Sequence, residues 1–372
     1  MKVRYSYLPQ QFKNSSGLWK NLKKFVSTGD FTLGKDLYKF EKKFARLIGT
    51  KYSVGVNSGT DAIKLSLIAL GVKSGDEVIT AANTFVATVG AIKEIGAKPI
   101  FIDCNDTFCM DTSYLESKIT KKTKAIVPVH FSGYMTDMIN IMKISRKFKI
   151  PVVEDACQSI LGSINKKNAG TWGVTGAFSL HPLKNINVWS DGGVITTNNQ
   201  KIYKQLLLLR NHGLIDRDTV KISGYNSRLD TFQAIVGNWL MPKANKIANQ
   251  RIKNAKIYDE GFKNIKSIVI PPRPKNFKIV YHLYMIFAKK RDELLKYCIK
   301  KNIEAKIHYP KPMYLQESVK ELGHKWGDFP TTDRHTKELI SFPCDQHLSL
   351  KEINYVIKTV KNFYEKQKNS LR

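Results

Sequence analysis

The sequence is short of acid. Asp and Glu number 31 against 61 Lys and Arg, which leaves a formal charge of +30 at pH 7. An imbalance of that size would suit a nucleic-acid binder if the cations were interleaved with aromatics or gathered into one dense basic helix. They are spread along the chain instead, as at Lys20, Lys23 and Lys24, at Lys121, Lys122 and Lys124, and at Lys296, Lys300 and Lys301. Solvated lysine faces account for this pattern best and attraction of anionic small molecules comes second, so no nucleic-acid partner is expected. Cysteine is scarce too. Cys104, Cys109, Cys157, Cys298 and Cys344 form an odd set with no C-x-x-C and no histidine at zinc spacing. That excludes a disulfide framework and a structural zinc site, and points to reduced thiols in a cytoplasmic protein with no metal. No apolar run reaches the roughly 18 residues of a spanning helix, and the start Met1-Lys2-Val3-Arg4 has no apolar signal region, so neither membrane insertion nor secretion is expected. Walker and dinucleotide glycine patterns are missing, which disfavours a nucleoside triphosphate or nicotinamide site.

What remains is an ordinary globular composition, with 42% hydrophobic and 25% charged residues. At 372 residues the chain exceeds what one core usually holds, and two domains are expected. In the first two thirds, helical and strand periodicities alternate. Leu37, Phe40, Phe44 and Leu47 form a helical stripe, and Tyr52–Val56 reads as a strand. A helix from about Thr60 to Leu70, a strand Glu77–Thr80, a helix Phe85–Ile95, a strand Pro99–Asp103, a helix Ser113–Ile119 and a strand Ala125–His130 follow. Ile139–Phe148 and Lys201–Arg210 read as helices; Val152–Asp155, Gly176–Leu180 and Gly193–Thr197 read as strands. Such alternation marks parallel strands joined by helical crossovers. A composition shift near Lys243–Gln250, a Lys-rich helix and the Pro271–Pro274 region suggest a boundary, dividing the chain into residues 1–245 and 246–372. The second part is expected to hold a strand Tyr284–Ala288, a helix Asp292–Lys300 and a last helix Leu350–Gln367.

Three segments carry candidate chemistry. Asn57-Ser58-Gly59-Thr60-Asp61-Ala62 lies between a strand and a helix, where small residues let backbone N–H groups approach an anion; the plainer reading is a helix cap by Ser58 or Thr60. Glu154-Asp155 stands at the carboxyl end of a Val-rich strand, where ligands sit in open α/β sheets. Asp155 could hold a protonated ring nitrogen, or could be a helix cap or a structural ion pair. In Phe178-Ser179-Leu180-His181-Pro182-Leu183-Lys184-Asn185, Pro182 stops the strand and places Lys184 on an irregular loop. A solvent lysine is the default; Ser179 nearby and a desolvated setting would make Lys184 a nucleophile.

Together with Asn83-Thr84-Phe85-Val86-Ala87, Leu209-Arg210-Asn211-His212-Gly213, Gly224-Tyr225-Asn226-Ser227-Arg228-Leu229-Asp230 and Ile307-His308-Tyr309-Pro310, these motifs give the chain its likeness. It resembles the DegT/DnrJ/StrS sugar aminotransferases, members of the fold-type-I enzymes that use pyridoxal 5′-phosphate (PLP), over nearly its full length. The resemblance implies an α/β large domain with a mostly parallel mixed sheet flanked by helices, and a smaller α+β domain. It implies that Lys184 holds PLP as a Schiff base and shuttles a proton, and that Asp155 pairs with the pyridinium nitrogen. Gln158 would bond the ring hydroxyl, Phe85 would stack on the ring unless it is a core aromatic, and Gly59, Thr60 and Ser179 would hold the phosphate. Asn226, otherwise a turn or capping residue, would reach the cofactor of the neighbouring subunit, implying a homodimer with shared sites. His181 would line the sugar pocket or fix its loop. His308 and Tyr309 would face the nucleotide or sugar unless they are structural. The implied reaction moves an amino group from glutamate to a nucleotide-linked keto sugar, with a 3-keto-6-deoxyhexose favoured. A 4-keto sugar or a nucleotide-free sugar acid is the alternative, the latter because Leu183 and Ser190 depart from the family's small residues beside bulky Trp189. Dehydratases resembling this family carry histidine in place of the lysine, which is intact here; a non-catalytic regulator is the other rival.

Overall fold

Short runs rich in Val, Ile and Thr become the strands of the central sheet, as their β-branched side chains favour. They are β1 (Tyr52–Val56), β2 (Glu77–Ala81), β3 (Lys98–Ile102), β4 (Thr123–Val127), β5 (Val153–Asp155), β6 (Thr175–Ser179) and β7 (Gly193–Thr197). The computed structural model describes residues 1–369; residues 370–372, at the end of the second expected domain, lie outside the described residues. Strand β2 runs parallel to β3 and β4 on either side, and β5 runs parallel to β6. Parallel bridges Ile126–Val152 and Val129–Asp155 join the two groups, and β7 lies antiparallel between β6 and β1. The order is therefore β3-β2-β4-β5-β6-β7-β1, the mostly parallel mixed sheet that was expected, with β7 reversed.

Both faces of this sheet are buried, and the period of two along a strand divides the side chains between them. Val78 and Ile195 join one apolar cluster while their neighbours Ile79 and Val194 join another. The expected stripe on the helix Lys35–Ile48 is buried at Leu37, Phe40 and Phe44, with Ile48 taking the innermost place ahead of Leu47. That helix stops at Gly49, whose φ of 95° is natural only to glycine.

Two expectations of local structure fail. Ser113–Ile119 is not an α-helix but two 3₁₀ turns, Thr112–Tyr114 and Glu116–Lys118. The Asp111 carboxylate accepts from the Ser113 N–H at 3.0 Å and draws the chain into a tight turn before a helix can propagate. The strand expected at Ala125–His130 begins at Thr123 and ends at Val127, because Pro128 has no N–H for the ladder.

A second, smaller sheet pairs β8 (Tyr284–Ala288) antiparallel with β9 (Leu339–Phe342) and with the short strand Ile268–Val269. The helices Ala244–Phe262, Arg291–Lys300 and Leu350–Asn369 accompany it, and its core stacks Tyr258 on Tyr284 with ring centroids 4.8 Å apart. Val3, fully buried, bridges to Ile303 and ties the N-terminal stretch to the same cluster. Just before β8, backbone bonds from Val280 to Gly133 (3.1 Å) and from Leu283 to Ser132 (3.2 Å) fasten the loop Tyr281–Leu283 to the large sheet's side of the molecule. This loop forms one wall of the site.

Candidate active site

The carboxyl ends of β1, β5 and β6 point the same way, since β7 alone is reversed, and a cavity of about 260 Å³ opens there. Gly59, Thr60, Gln158, Ser179, His181 and Lys184 line its floor. The helix Gly59–Ala69 starts at its edge. Ser58 caps that helix, as the plainer reading held, accepting from the Asp61 N–H at 3.0 Å. The cap leaves the first two N–H groups of the helix, on Gly59 and Thr60, with no partner among the described residues. They face the cavity at the positive end of the helix, a cradle for a phosphate. Glycine is required there: a Cβ on Gly59 would stand 2.8 Å from Ser179 Cβ and 2.9 Å from Cys157 Sγ.

The neighbouring carboxylates at the end of β5 have opposite surroundings, as alternation along a strand dictates. Glu154 is fully buried and accepts from the N–H groups of Gly170 (2.8 Å), Trp172 (2.7 Å) and Gly173 (2.8 Å) and from His130 Nε2 (3.0 Å). It is structural. Asp155, also buried, accepts from the Thr88 hydroxyl at 2.8 Å and from the Cys157 N–H at 3.2 Å, and forms no ion pair among the described residues. Thr88 is itself 2.7 Å from the Thr84 hydroxyl. A buried carboxylate held by neutral donors alone is incomplete without a cation.

Lys184 does not lie on a solvent face. The backbone turns through a Lys184 N–H bond to His181 O at 2.8 Å, and the side chain enters the cavity. Burial pushes its amine below the ordinary lysine range, opposed by Cys157 and Asp155. A larger fraction is therefore neutral and nucleophilic than for a solvated lysine. His181 lines the cavity, and its Nδ1 accepts from the Leu183 N–H at 3.2 Å, which fixes the loop. Burial pulls its pKa down, partly offset by Asp191.

The opposite wall comes from Phe85 and the second sheet's loops. Phe85 is 48% exposed, which rules out a core role, and its ring stands 5.9 Å from that of Tyr309. Gln158 Oε1 accepts from the Ser132 N–H at 2.7 Å, and both Gln158 and Tyr309 line the cavity. His308 Nδ1 lies 2.8 Å from the Ser341 hydroxyl in β9, and burial lowers its pKa to about 4. Burial also raises the Tyr309 hydroxyl well above its usual value. Asn226 is not in this cavity: it is exposed, and its backbone bridges to Asn211.

Sequence reasoning missed Thr88 and His282. Thr84 and Thr88 are one helical turn apart at the start of the helix Val86–Glu94, a spacing that could have revealed the relay to Asp155. His282 lines the cavity from the loop before β8, and no local pattern announces it.

Comparison with known proteins agrees with this geometry. Residues 15–361 match the DegT/DnrJ/EryC1/StrS aminotransferase family. A pleiotropic regulatory protein of Geobacillus stearothermophilus is 36% identical over 98% of this chain and 99% of its own. The dTDP-3-amino-3,4,6-trideoxy-α-D-glucose transaminase of Micromonospora megalomicea subsp. nigra is 32% identical over 91% of this chain and 92% of its own. Among solved structures, S. venezuelae DesV in complex with a ketimine intermediate superposes with a TM-score of 0.95 at 29% identity, covering 97% of this chain and 98% of its own. NtdA from Bacillus subtilis with bound cofactor PMP superposes with a TM-score of 0.89 at 29% identity, covering 97% and 85%.

Proposed function

The chain belongs to the DegT/DnrJ/EryC1/StrS aminotransferase family, and from that premise we propose that it moves an amino group from glutamate to the keto carbon of a nucleotide-linked deoxysugar, a 3-keto-6-deoxyhexose first among them. PLP is the family's cofactor, and when bound it supplies an electron sink for charge developing at the substrate carbon. The residues fit it. Gly59 and Thr60 offer free N–H groups and Ser179 a hydroxyl for the phosphate, and Asp155 offers the carboxylate that a protonated ring nitrogen completes. Gln158 and Phe85 are on hand for the ring hydroxyl and the ring face.

In this reading Lys184 Nζ would be the residue that holds PLP covalently, and its amine would serve as the base that takes a proton from the substrate carbon and returns it. Its lowered pKa serves both tasks, since the neutral amine is the nucleophile and the base. Thr88 fixes the Asp155 carboxylate through its hydroxyl, and Thr84 fixes Thr88. His181, His308 and Tyr309 shape the acceptor side. Asn226, outside its own subunit's cavity, is assigned to the cofactor phosphate of a second copy, which makes the working unit a homodimer.

The observation that carries the reading is Asp155, buried at the end of β5 with no cation partner among the described residues, two residues before Cys157 in the wall of the cavity that holds a desolvated Lys184. The name of the Micromonospora relative supports the 3-keto preference. The regulatory name of the Geobacillus relative does not displace the enzymatic reading, because every group that the chemistry needs is present in this chain. Mixing purified protein with PLP should give a lysine-bound absorption band that disappears in Lys184→Ala; a band surviving in that variant removes the assignment. A screen of nucleotide-linked and free keto sugars with glutamate, read by mass and proton spectra, then identifies the acceptor. Amination of 4-keto sugars alone, or of a free sugar acid, would replace the 3-keto proposal.

A further inference from the structure

Behind the lysine loop a second, smaller cavity of about 70 Å³ adjoins the first, and the two share Leu183, His282, Leu283 and His308 as their common wall. Its far side is polar, formed by Tyr5, Arg251, Lys306 and Asp345. Two of these charges are already engaged. Arg251 donates to Gln346 Oε1 (2.9 Å) and to Tyr281 O (3.1 Å) and lies 3.6 Å from Asp345. Asp345 in turn accepts from the His347 N–H at 2.9 Å and pairs with its ring at 3.0 Å.

Two groups are left over. Lys306 has no carboxylate partner among the described residues and sits over the Tyr5 ring, with Nζ 4.5 Å from the centroid. His282 Nδ1 is buried without a hydrogen-bond partner among the described residues. A lysine with no carboxylate partner at the cavity's mouth and a buried, unpartnered imidazole nitrogen inside it together suit an anion with acceptor oxygens. At about 70 Å³ the annex is far smaller than the 260 Å³ cavity beside it and suits a carboxylate.

We propose that this annex receives the side-chain carboxylate of the amino donor, with Lys306 supplying the counter-charge and His282 a hydrogen bond from Nδ1, so that the enzyme selects an acidic donor. The proposal rests on the reading of glutamate as donor. Burial and the nearby Lys184 and Arg251 hold the His282 pKa well below the ordinary imidazole range, which favours the neutral ring.

The test uses the PLP-loaded full chain, wild type, Lys306→Met and His282→Gln. Lys306 is exposed, so its variant keeps the fold. Two readouts are followed: calorimetric binding of glutarate, a dicarboxylate with no amine, and the rate at which glutamate or alanine bleaches the lysine-bound absorption band. Losing one charge-assisted hydrogen bond predicts glutarate binding and glutamate kcat/KM about tenfold or more weaker in both variants, with the alanine rate unchanged in Lys306→Met. Equal losses for glutamate and alanine in Lys306→Met, or no loss of glutarate binding in either variant, overturn the annex. Wild-type protein that is bleached by other amino acids and not by glutamate overturns the donor reading instead, and the glutarate titration then judges the annex alone.

Discussion

Glu154 and Asp155 are adjacent and chemically alike, yet the structure gives them separable consequences. In Glu154→Gln one oxygen becomes an NH₂ group. On the Oε1 side it would face the N–H groups of Trp172 and Gly173. On the Oε2 side it would face the Gly170 N–H and His130 Nε2, which carries the ring proton because Nδ1 accepts from Thr136. Either way two buried donors lose their acceptor, at about 1–3 kcal/mol each, so unfolding free energy should fall by roughly 2–6 kcal/mol. In Asp155→Asn the amide oxygen keeps the Cys157 N–H while the NH₂ group faces the Thr88 hydroxyl, which turns to accept from it and donates to Thr84, so stability should change by about 1 kcal/mol or less. What Asp155→Asn removes, under the proposed function, is the charge opposite the cofactor's ring nitrogen; a charge-assisted hydrogen bond of about 1.5–3 kcal/mol corresponds to a loss of roughly 10- to 100-fold in turnover. Urea unfolding and single-turnover amination on the same two variants supply both axes. A Glu154→Gln protein as stable as wild type, or an Asp155→Asn protein that unfolds early and turns over normally once folded, would refute the assignment of roles.

Mixing Lys184→Ala with Asn226→Ala protein, each inactive alone, tests the shared site: if Asn226 serves the neighbouring subunit, random reassortment should restore about a quarter of wild-type activity, and if it serves its own subunit, nothing returns. His335 supplies a pH prediction. Both its ring nitrogens are buried without partners among the described residues, between Phe108 (5.6 Å) and Phe287 (5.1 Å), and burial lowers its pKa from 6.5 to about 4. The unfolded chain therefore takes up this proton first as pH falls, so the stability is complete above pH 6.5 and is lost on the way to about 4. From about pH 7.5 to 4.5, wild type should lose roughly 2–3 kcal/mol more than His335→Phe in urea unfolding; parallel losses would show that His335 takes no part.

Much of the large sheet could be read from the chain because its strands are short β-branched runs buried on both faces, each closed by a turn or helix start that has its own residue signature. The residues proposed to hold the cofactor share that advantage: Gly59, Asp155 and Ser179 stand at or just beyond strand ends and Lys184 on the loop after β6, where motif and position coincide. The reversal of β7 was not visible, since a buried strand reads alike in either direction. Nor was the division of labour between Glu154 and Asp155, which depends on the distant backbone of Gly170–Gly173 and on Thr88. The acceptor wall resisted for a different reason. His282 and His308 reach the cavity from loops about 100 residues beyond Lys184 in sequence, and their placement follows from how the loop Tyr281–Leu283 binds Ser132 and Gly133 rather than from any local pattern.

The motifs Leu209–Gly213 and Gly224–Asp230 also gain a physical meaning that neither has alone. His212 N–H bonds Tyr225 O at 2.8 Å and Ser227 N–H bonds Arg210 O at 3.0 Å, so the two segments form one unit. Arg210, buried against Glu41, anchors that unit to β1 through a 2.9 Å bond to Gly55 O. Its other end reaches the cradle: the Ser227 hydroxyl donates to Asp61 at 2.6 Å, one turn into the helix whose first N–H groups face the cavity. The same short segment thus steadies the phosphate cradle of its own subunit while it turns Asn226 outward. Under the shared-site proposal, the order of one subunit's cradle and the contact made to the other's are fixed by a single element, and a variant that loosens it, such as Ser227→Ala, should weaken cofactor retention at both sites of the dimer together.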